Sequence, residues 1–458
     1  MILNTTRFYR NFIFFFLFLL IYLNAAAQFF PPKNYPKNYF IYPVLAKKSL
    51  SANFGELRPN HFHMGFDCRT DQQQNKEVLA AAEGYIAKVK IESWGYGKAI
   101  YINHPNGLTT VYGHLNDFYP ELENYVKEQQ YKLKSWAVYL NIPANLFPVT
   151  KGMFIAYSGN AGGSQGPHLH FEIRDTKTDK VLNPSIFDFS IPDHIPPDIY
   201  KLAVYDRCVS TYEQTPKIYK LKKINGIYVT TPAIITVNTD KVSFGITAFD
   251  RYNGSNNKNG IYETVLYHDD KPIVGFQLDS IGYDETRYVN AHIDYKYRSH
   301  GGSYIEHVSK LPGYNNSVYK TTGGNGVINL EDNNNHKIRL DVKDAYGNTS
   351  IVMFTIKRTA AFVEKQKPDS INYFQTLAFH PGFLNLFENN SISFYLPENC
   401  LYDSIRFQFK ETTSNTGFTI YQLHNTSVPL HSYFPITIKA ASDFPNKMVM
   451  HRFANGKN

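Results

Sequence analysis

Three short segments of the 458-residue chain combine residue types that can hold a metal and move protons. In His63-Met64-Gly65-Phe66-Asp67, an extended backbone sends His63, Gly65 and Asp67 to one face, because strand side chains alternate with a period of two. An imidazole and a carboxylate then converge across a glycine whose missing side chain leaves room for an ion. Gly166-Pro167-His168-Leu169-His170-Phe171-Glu172 repeats that logic, with His168, His170 and Glu172 on one face and Leu169 and Phe171 turned toward a core. Tyr112-Gly113-His114-Leu115 ends a strand-like run and offers a further imidazole. With 16 His in the chain, any one of these pairings is expected by chance, so the weight lies in their conjunction.

The elements that must position these residues read as β-structure. Between residues 50 and 190, short apolar runs such as Gly84 to Ile91, Lys98 to Asn103 and Met153 to Tyr157 are cut by Gly, Asn and Pro. One segment departs from this: Pro120 opens a stretch in which Leu122, Tyr125, Val126, Gln129 and Leu133 keep a helical spacing, which predicts an inserted helix over 121–133. Trp136, Val138 and Leu140 then alternate as a strand would. Pro192 to Pro197 is stiff punctuation and marks a domain boundary. Beyond it, runs such as Ile234 to Asn238, Val242 to Thr247 and Ile261 to His268 predict an immunoglobulin-like β-sandwich. Tyr346-Gly347-Asn348 turns between its last two strands. A further β module follows from about residue 365, with Ile405, Phe407 and Phe409 in alternation.

Composition agrees. Aromatic residues make up 16% of the chain, as 35 Tyr and 34 Phe against 2 Trp, and these side chains suit pleated surfaces. The expected fold class is therefore all-β dominated: a small antiparallel β domain with an inserted helix, followed by immunoglobulin-like β-sandwich modules. The expected domains are a signal peptide at 1–27, the motif-bearing domain at 28–191, a sandwich at 198–358 and a C-terminal β module at 365–458. The formal net charge of +8 is spread with both signs mixed and no basic run, which argues against nucleic-acid binding. Arg7 and Arg10 precede an apolar stretch from Phe12 to Leu23 and then Ala25-Ala26-Ala27, the pattern of a secretory signal. That stretch falls short of the roughly 20 residues needed to cross a bilayer, so no transmembrane segment is expected after signal cleavage. Cys68, Cys208 and Cys400 allow at most one disulfide, so ordinary cores must hold the fold together.

Taken together and in order, the motifs resemble the lysostaphin-type (LytM-like) zinc metallopeptidase family. Its signature runs H-x-G-x-D, G-x-G, Y-x-H-L, G-x-x-G-x-S and G-P-H-L-H-F-E. Gly95-Tyr96-Gly97, Tyr112 to Leu115, and Ser158-Gly159-Asn160-Ala161-Gly162-Gly163-Ser164 stand between the first and last pieces, with Phe54-Gly55-Glu56-Leu57-Arg58 ahead of them. The resemblance covers about residues 45–190 and departs from the family mainly by the insert between Leu115 and Val149.

The resemblance implies a Zn2+ cofactor held by His63, Asp67 and His170, with His114 and His168 as catalytic partners. Three protein ligands leave one open position on a tetrahedral ion, as a catalytic site requires. Zinc-activated water would attack an amide while the two remaining imidazoles take its proton and stabilise the oxyanion, in an order the motifs do not assign. The implied function is hydrolysis of peptide cross-links in peptidoglycan, in the periplasm. The alternative is a catalytically silent relative that binds the wall or activates another hydrolase. Glu172 is expected either to orient an imidazole or to form a surface ion pair, and Cys68 to point away from the site. The insert is expected at the rim of the active-site groove, as a lid or as a fixed brace. The modules after Pro197 are expected to leave chemistry alone and to meet the wall or an envelope protein partner through loops such as Asn253 to Gly260 and Glu331 to Asn335.

Overall fold

The computed structural model describes residues 28–359, 377–414 and 419–439. The N-terminal stretch expected as a signal peptide lies outside the described residues. Strands dominate the described residues, as the composition implies.

One antiparallel sheet carries the three motifs. Its strands are β1 (Leu50–Ala52), β2 (Phe66–Arg69), β3 (Gly84–Ile91), β4 (Lys98–Asn103), β5 (Leu108–Gly113), β6 (Val138–Asn141), β7 (His168–Asp175) and β8 (Val181–Leu182). They lie in the order β1-β2-β7-β5-β4-β3-β6, with β8 paired to the far end of β7. Strand β7 therefore has β2 on one side and β5 on the other, so motifs a hundred residues apart become neighbours. Its Leu169, Phe171 and Ile173 are fully buried with Phe66, Ile86, Ile100 and Tyr112. Burying each such side chain contributes on the order of 1.5–3 kcal/mol. A one-residue slip of β7 would exchange them for His168, His170 and Glu172, and so the core enforces the register.

The predicted helix forms as α1 (Pro120–Leu133), opened by Pro120, with Glu121 and Glu123 in the first turn and Lys132 in the last, as the helix dipole favours. It buries Leu122 and Val126 in the same core and leads into β6, which covers the edge of β3. Trp136 lies outside that strand and is exposed. Strand β6 is four strands away from β7, roughly 19 Å at the usual spacing. The β6 arm of the insert thus braces a sheet edge far from β7. An unpaired β3 edge and a short apolar helix stripe are both satisfied by that placement.

The following residues form an immunoglobulin-like sandwich that includes β9 (Asp198–Asp206), β10 (Lys241–Phe249), β11 (Ser280–Ile281), β12 (Asn335–Lys343) and β13 (Thr349–Arg358). Lys217–Ile224 passes between its two sheets, pairing first with β9 and then with Ile227–Val237, which runs parallel to β13. Short helical turns at Thr286–Tyr288, Val289–His292 and Tyr295–Ser299 were not legible in the sequence, because each is too brief to show a period. The described residues after 377 form small sheets around Phe379, Phe387, Phe394 and Phe407, and dock Leu401 and Tyr402 on the sandwich. All three cysteines are free, and Cys68 is buried on the core side of β2, away from the motif face.

The two parts are joined more closely than a linker implies. Strand β8 pairs with β11 of the sandwich, Val181 to Ile281 and Leu182 to Ser280. Phe54, Phe62, Met64 and Val181 share a core with Phe276, Leu278 and Ile281. The Asn53 amide pairs with Gly260 in both directions at 2.8 and 2.9 Å, and Asn257 donates to Ser51 O at 2.7 Å. Asn257 and Gly260 of the Asn253–Gly260 segment, expected as a binding loop, serve this interface, while Asn253, Gly254, Asn256 and Lys258 stay exposed, as does Glu331–Asn335.

Candidate metal centre

The pairing of β7 with its neighbours sets His170 opposite Asp67 on β2 and opposite Gly113 on β5. His63 enters from the short strand His61–Phe62 just ahead of β2. His63 Nε2, Asp67 Oδ1 and His170 Nδ1 then form a triangle with sides of 3.0, 3.2 and 3.0 Å. A tetrahedral ion with ligands at about 2.0–2.1 Å has ligand-to-ligand edges of about 3.3 Å, so this donor set suits zinc. Gly65 is required here, since a Cβ on it would lie 3.0 Å from Glu172 Cγ and 3.1 Å from His170 Nε2.

The outward nitrogen of each histidine is anchored. His63 Nδ1 donates to Asn53 O at 2.7 Å, and His170 Nε2 faces Glu172 Oε1 at 2.9 Å. Both inward nitrogens are thereby left to a cation. Asp67 divides its oxygens: Oδ1 belongs to the triangle and Oδ2 accepts from Arg58 Nη2 at 2.8 Å. Burial works against the Asp67 charge, but His63 and hydrogen bonds from the neighbouring imidazoles hold its carboxyl well below the usual range. Burial also pushes His170 down, yet hydrogen bonds to Asp67 and Glu172 outweigh it and raise the imidazole to about 9.

His114 and His168 stand beside the triangle, their rings 4.8 Å apart, with the His114 ring 5.8 Å from that of His170. His114 Nδ1 donates to Ala161 O and His168 Nδ1 to Gly166 O, each at 2.8 Å. The Ala161 carbonyl fixes the His114 tautomer so that its Nε2 offers a lone pair. His168 Nε2 lies 3.3 Å from Asp67 Oδ1. His114 has a left-handed backbone, φ +59°, which turns the chain sharply at the end of β5. Burial, followed by the charges of His170 and His168, lowers its pKa to about 3, so it is neutral at physiological pH.

The five predicted residues thus come together, and Glu172 takes the orienting place rather than a surface one. His61 remains exposed, and His104 is buried between Glu83 O and Thr110 Oγ1, away from the triangle. Sequence reasoning missed the groups that hold Glu172. Arg174 Nε donates to Oε2 at 2.8 Å, Tyr96 to Oε1 at 2.5 Å and Tyr283 to Oε1 at 2.6 Å. Alternation along β7 could have found Arg174, two residues beyond Glu172. Nothing in the sequence points to Tyr283, which comes from the sandwich just after β11. Burial pushes Glu172 up, but Arg174 and His170 hold it down at about 2.

Comparison with known proteins agrees with this geometry. The model of Peptidase family M23 matches residues 61–131, and that of a Zu5-like domain matches residues 377–458. An uncharacterized metalloprotease of Haemophilus influenzae is 31% identical over 145 residues, covering 30% of this chain and 25% of that protein. The DD-carboxypeptidase/endopeptidase Mpg of Neisseria meningitidis serogroup B is 33% identical over 143 residues, covering 30% of this chain and 27% of the relative. The chain therefore spans about a quarter of the length of these curated relatives. Among solved structures, the catalytic domain of lysostaphin from Staphylococcus simulans aligns at 20% identity and a TM-score of 0.21, covering 29% of this chain and 85% of that one.

Proposed function

We propose that the chain, whose residues 61–131 match Peptidase family M23, is an exported zinc metalloendopeptidase hydrolysing peptide cross-links of peptidoglycan. The observation that carries this reading is the triangle of His63 Nε2, Asp67 Oδ1 and His170 Nδ1 with two further imidazoles beside it. Zinc held by these three residues would supply Lewis-acid polarisation of an amide carbonyl and an acidified water. Arg58 offsets the charge of Asp67 and holds its Oδ2, leaving Oδ1 in the triangle. His114, neutral at physiological pH, and His168 would between them accept the proton of the attacking water and hydrogen-bond the developing oxyanion. Glu172 fixes the plane of the His170 ring.

The names of the relatives, one of them a DD-carboxypeptidase/endopeptidase, support a cell-wall peptide as the substrate class. Export rests on the N-terminal pattern from Arg7 to Ala27, and no helix among the described residues is long and apolar enough to cross a membrane. The periplasm and a D-Ala to diaminopimelate bond fit this best. The exposed Glu331–Asn335 loop is one surface that an envelope protein partner would meet.

Mass spectrometry of fragments released from purified sacculi by the zinc-loaded chain tests the proposal, with loss of cross-linked dimers as the expected result. Dimers that survive with the site fully loaded would favour the silent-relative reading. His63→Ala, Asp67→Ala and His170→Ala should each lose the metal. His114→Ala and His168→Ala should retain it and lose roughly 10²–10⁴ in rate.

A further inference from the structure

A second group of buried carboxylates lies where the Pro-rich linker meets the sandwich. Asp193 belongs to the linker, Asp250 follows the end of β10, and Asp344 opens the turn between β12 and β13. One oxygen from each lies within 4.8 Å of the others. Two opposed ligands at about 2.4 Å from a central ion span that distance. The three residues are only 5%, 1% and 2% exposed.

Their partners do not account for them. Asp193 Oδ1 accepts from Ile195 N, but Oδ2 is buried with no hydrogen bond. Asp250 Oδ1 is likewise buried and unpartnered. Asp344 is held in place by Tyr346 N, Asn348 N and the Asn348 amide. Among the described residues, no basic side chain forms an ion pair with any of the three. Arg251, the next residue in the chain, turns instead to Asp198 at 2.6 Å and to the Tyr200 hydroxyl at 2.8 Å. A fourth oxygen stands nearby without a partner. Asn259 is 0% exposed, exchanges both backbone hydrogen bonds with Asp250, and leaves its Oδ1 unsatisfied. Residues so paired across two strands direct their side chains to the same face. Burial, together with mutual repulsion, pushes Asp250 up to about 8 and Asp193 up to about 7, as expected of carboxylates without a counter-charge.

Buried charges are stable when paired or bound to metal, and here only oxygen acceptors converge. We propose that Asp193, Asp250 and Asp344, with the Asn259 amide oxygen, bind a calcium ion that clasps the linker to two loops of the sandwich. An all-oxygen set selects a hard cation, and irregular donors from three separate segments suit the variable coordination of Ca2+ better than the strict octahedron of Mg2+. The ion would add a further tie between the linker and the sandwich to the pairing of β8 with β11.

The test uses the full chain, stripped of metal and reloaded with one equivalent of zinc. Equilibrium dialysis with radioactive calcium should find one Ca2+ per chain. A hundredfold excess over Kd should raise the melting temperature by roughly 3 °C. Asp250→Asn and Asp344→Asn should abolish both effects, while Asp67→Asn should leave calcium binding unchanged. The proposal fails if millimolar calcium neither binds nor stabilises the unmodified chain, a result independent of any variant's folding. It fails equally if magnesium alone produces the shift. Should the trio be neutralised by protons instead, Asp250→Asn will match or exceed the parent in stability whether calcium is present or absent.

Discussion

Tyr283 donates a 2.6 Å hydrogen bond to Glu172 Oε1, the same oxygen that faces His170 Nε2 at 2.9 Å. A residue of the sandwich therefore supports the carboxylate that faces the histidine of the candidate metal centre.

Tyr283→Phe removes that support while leaving Tyr96 and Arg174 on Glu172. The expected result is a roughly tenfold to hundredfold loss in zinc affinity or activity, the usual worth of a group behind a metal-binding histidine. Zinc titration against a chromogenic chelator, alongside kcat/KM on a soluble peptide, reads both. Parent values in both assays would mean that Tyr96 and Arg174 suffice.

A chain ending at Ile191 should not be an independent peptidase. It would expose Phe54, Phe62 and Met64, which are buried against the sandwich, and would lose the pairing of β8 with β11 along with Tyr283. Low solubility or greatly reduced hydrolysis of a small cross-linked peptide is expected, in contrast to the separation of chemistry from targeting that the sequence suggests. A soluble, zinc-loaded fragment with parental rates would restore that separation.

The insert should matter for stability and not for substrate choice. Leu122→Ala removes a fully buried side chain from the core, at a cost of about 2–5 kcal/mol. Urea unfolding should show this shift while the product pattern from sacculi stays that of the parent. A changed cross-link preference would mean that α1 reaches the groove after all.

Metal binding should release a proton. His170 in the metal-free chain is raised to about 9, whereas Asp67 is held ionised and burial lowers His63, so one proton must leave when a cation enters between pH 7 and 8. Apparent affinity should therefore climb by about tenfold per pH unit below that value and level off above it. Calorimetric titrations in buffers of different ionisation enthalpy count the proton directly. A count near zero would place the proton elsewhere.

Period-two alternation made much of the site legible. His168 with His170 is a local pair whose shared face follows from strand geometry, with the apolar Leu169 and Phe171 marking the core side, whereas His63 reaches Asp67 across a bend at Gly65 ahead of β2. The helix from Pro120 was legible for the same reason, since its period and its N-terminal proline are local signals. Its role was not, because whether a helix covers a cleft or an edge depends on which strand end lacks a partner.

What the sequence by itself determined was the set of residue types able to hold a metal and the local structures that present them. Only the tertiary structure decided that β7 lies between β2 and β5, that Arg58 takes the second oxygen of Asp67, and that Tyr283 reaches Glu172 from a separate module. It alone brought Asp193, Asp250 and Asp344 together. The physical reason is the range of the forces involved. Backbone alternation acts between neighbours in the chain, whereas strand order and module docking follow from burying apolar surface such as Phe62 and Leu278, which favours contact without specifying in the sequence which partner will be met.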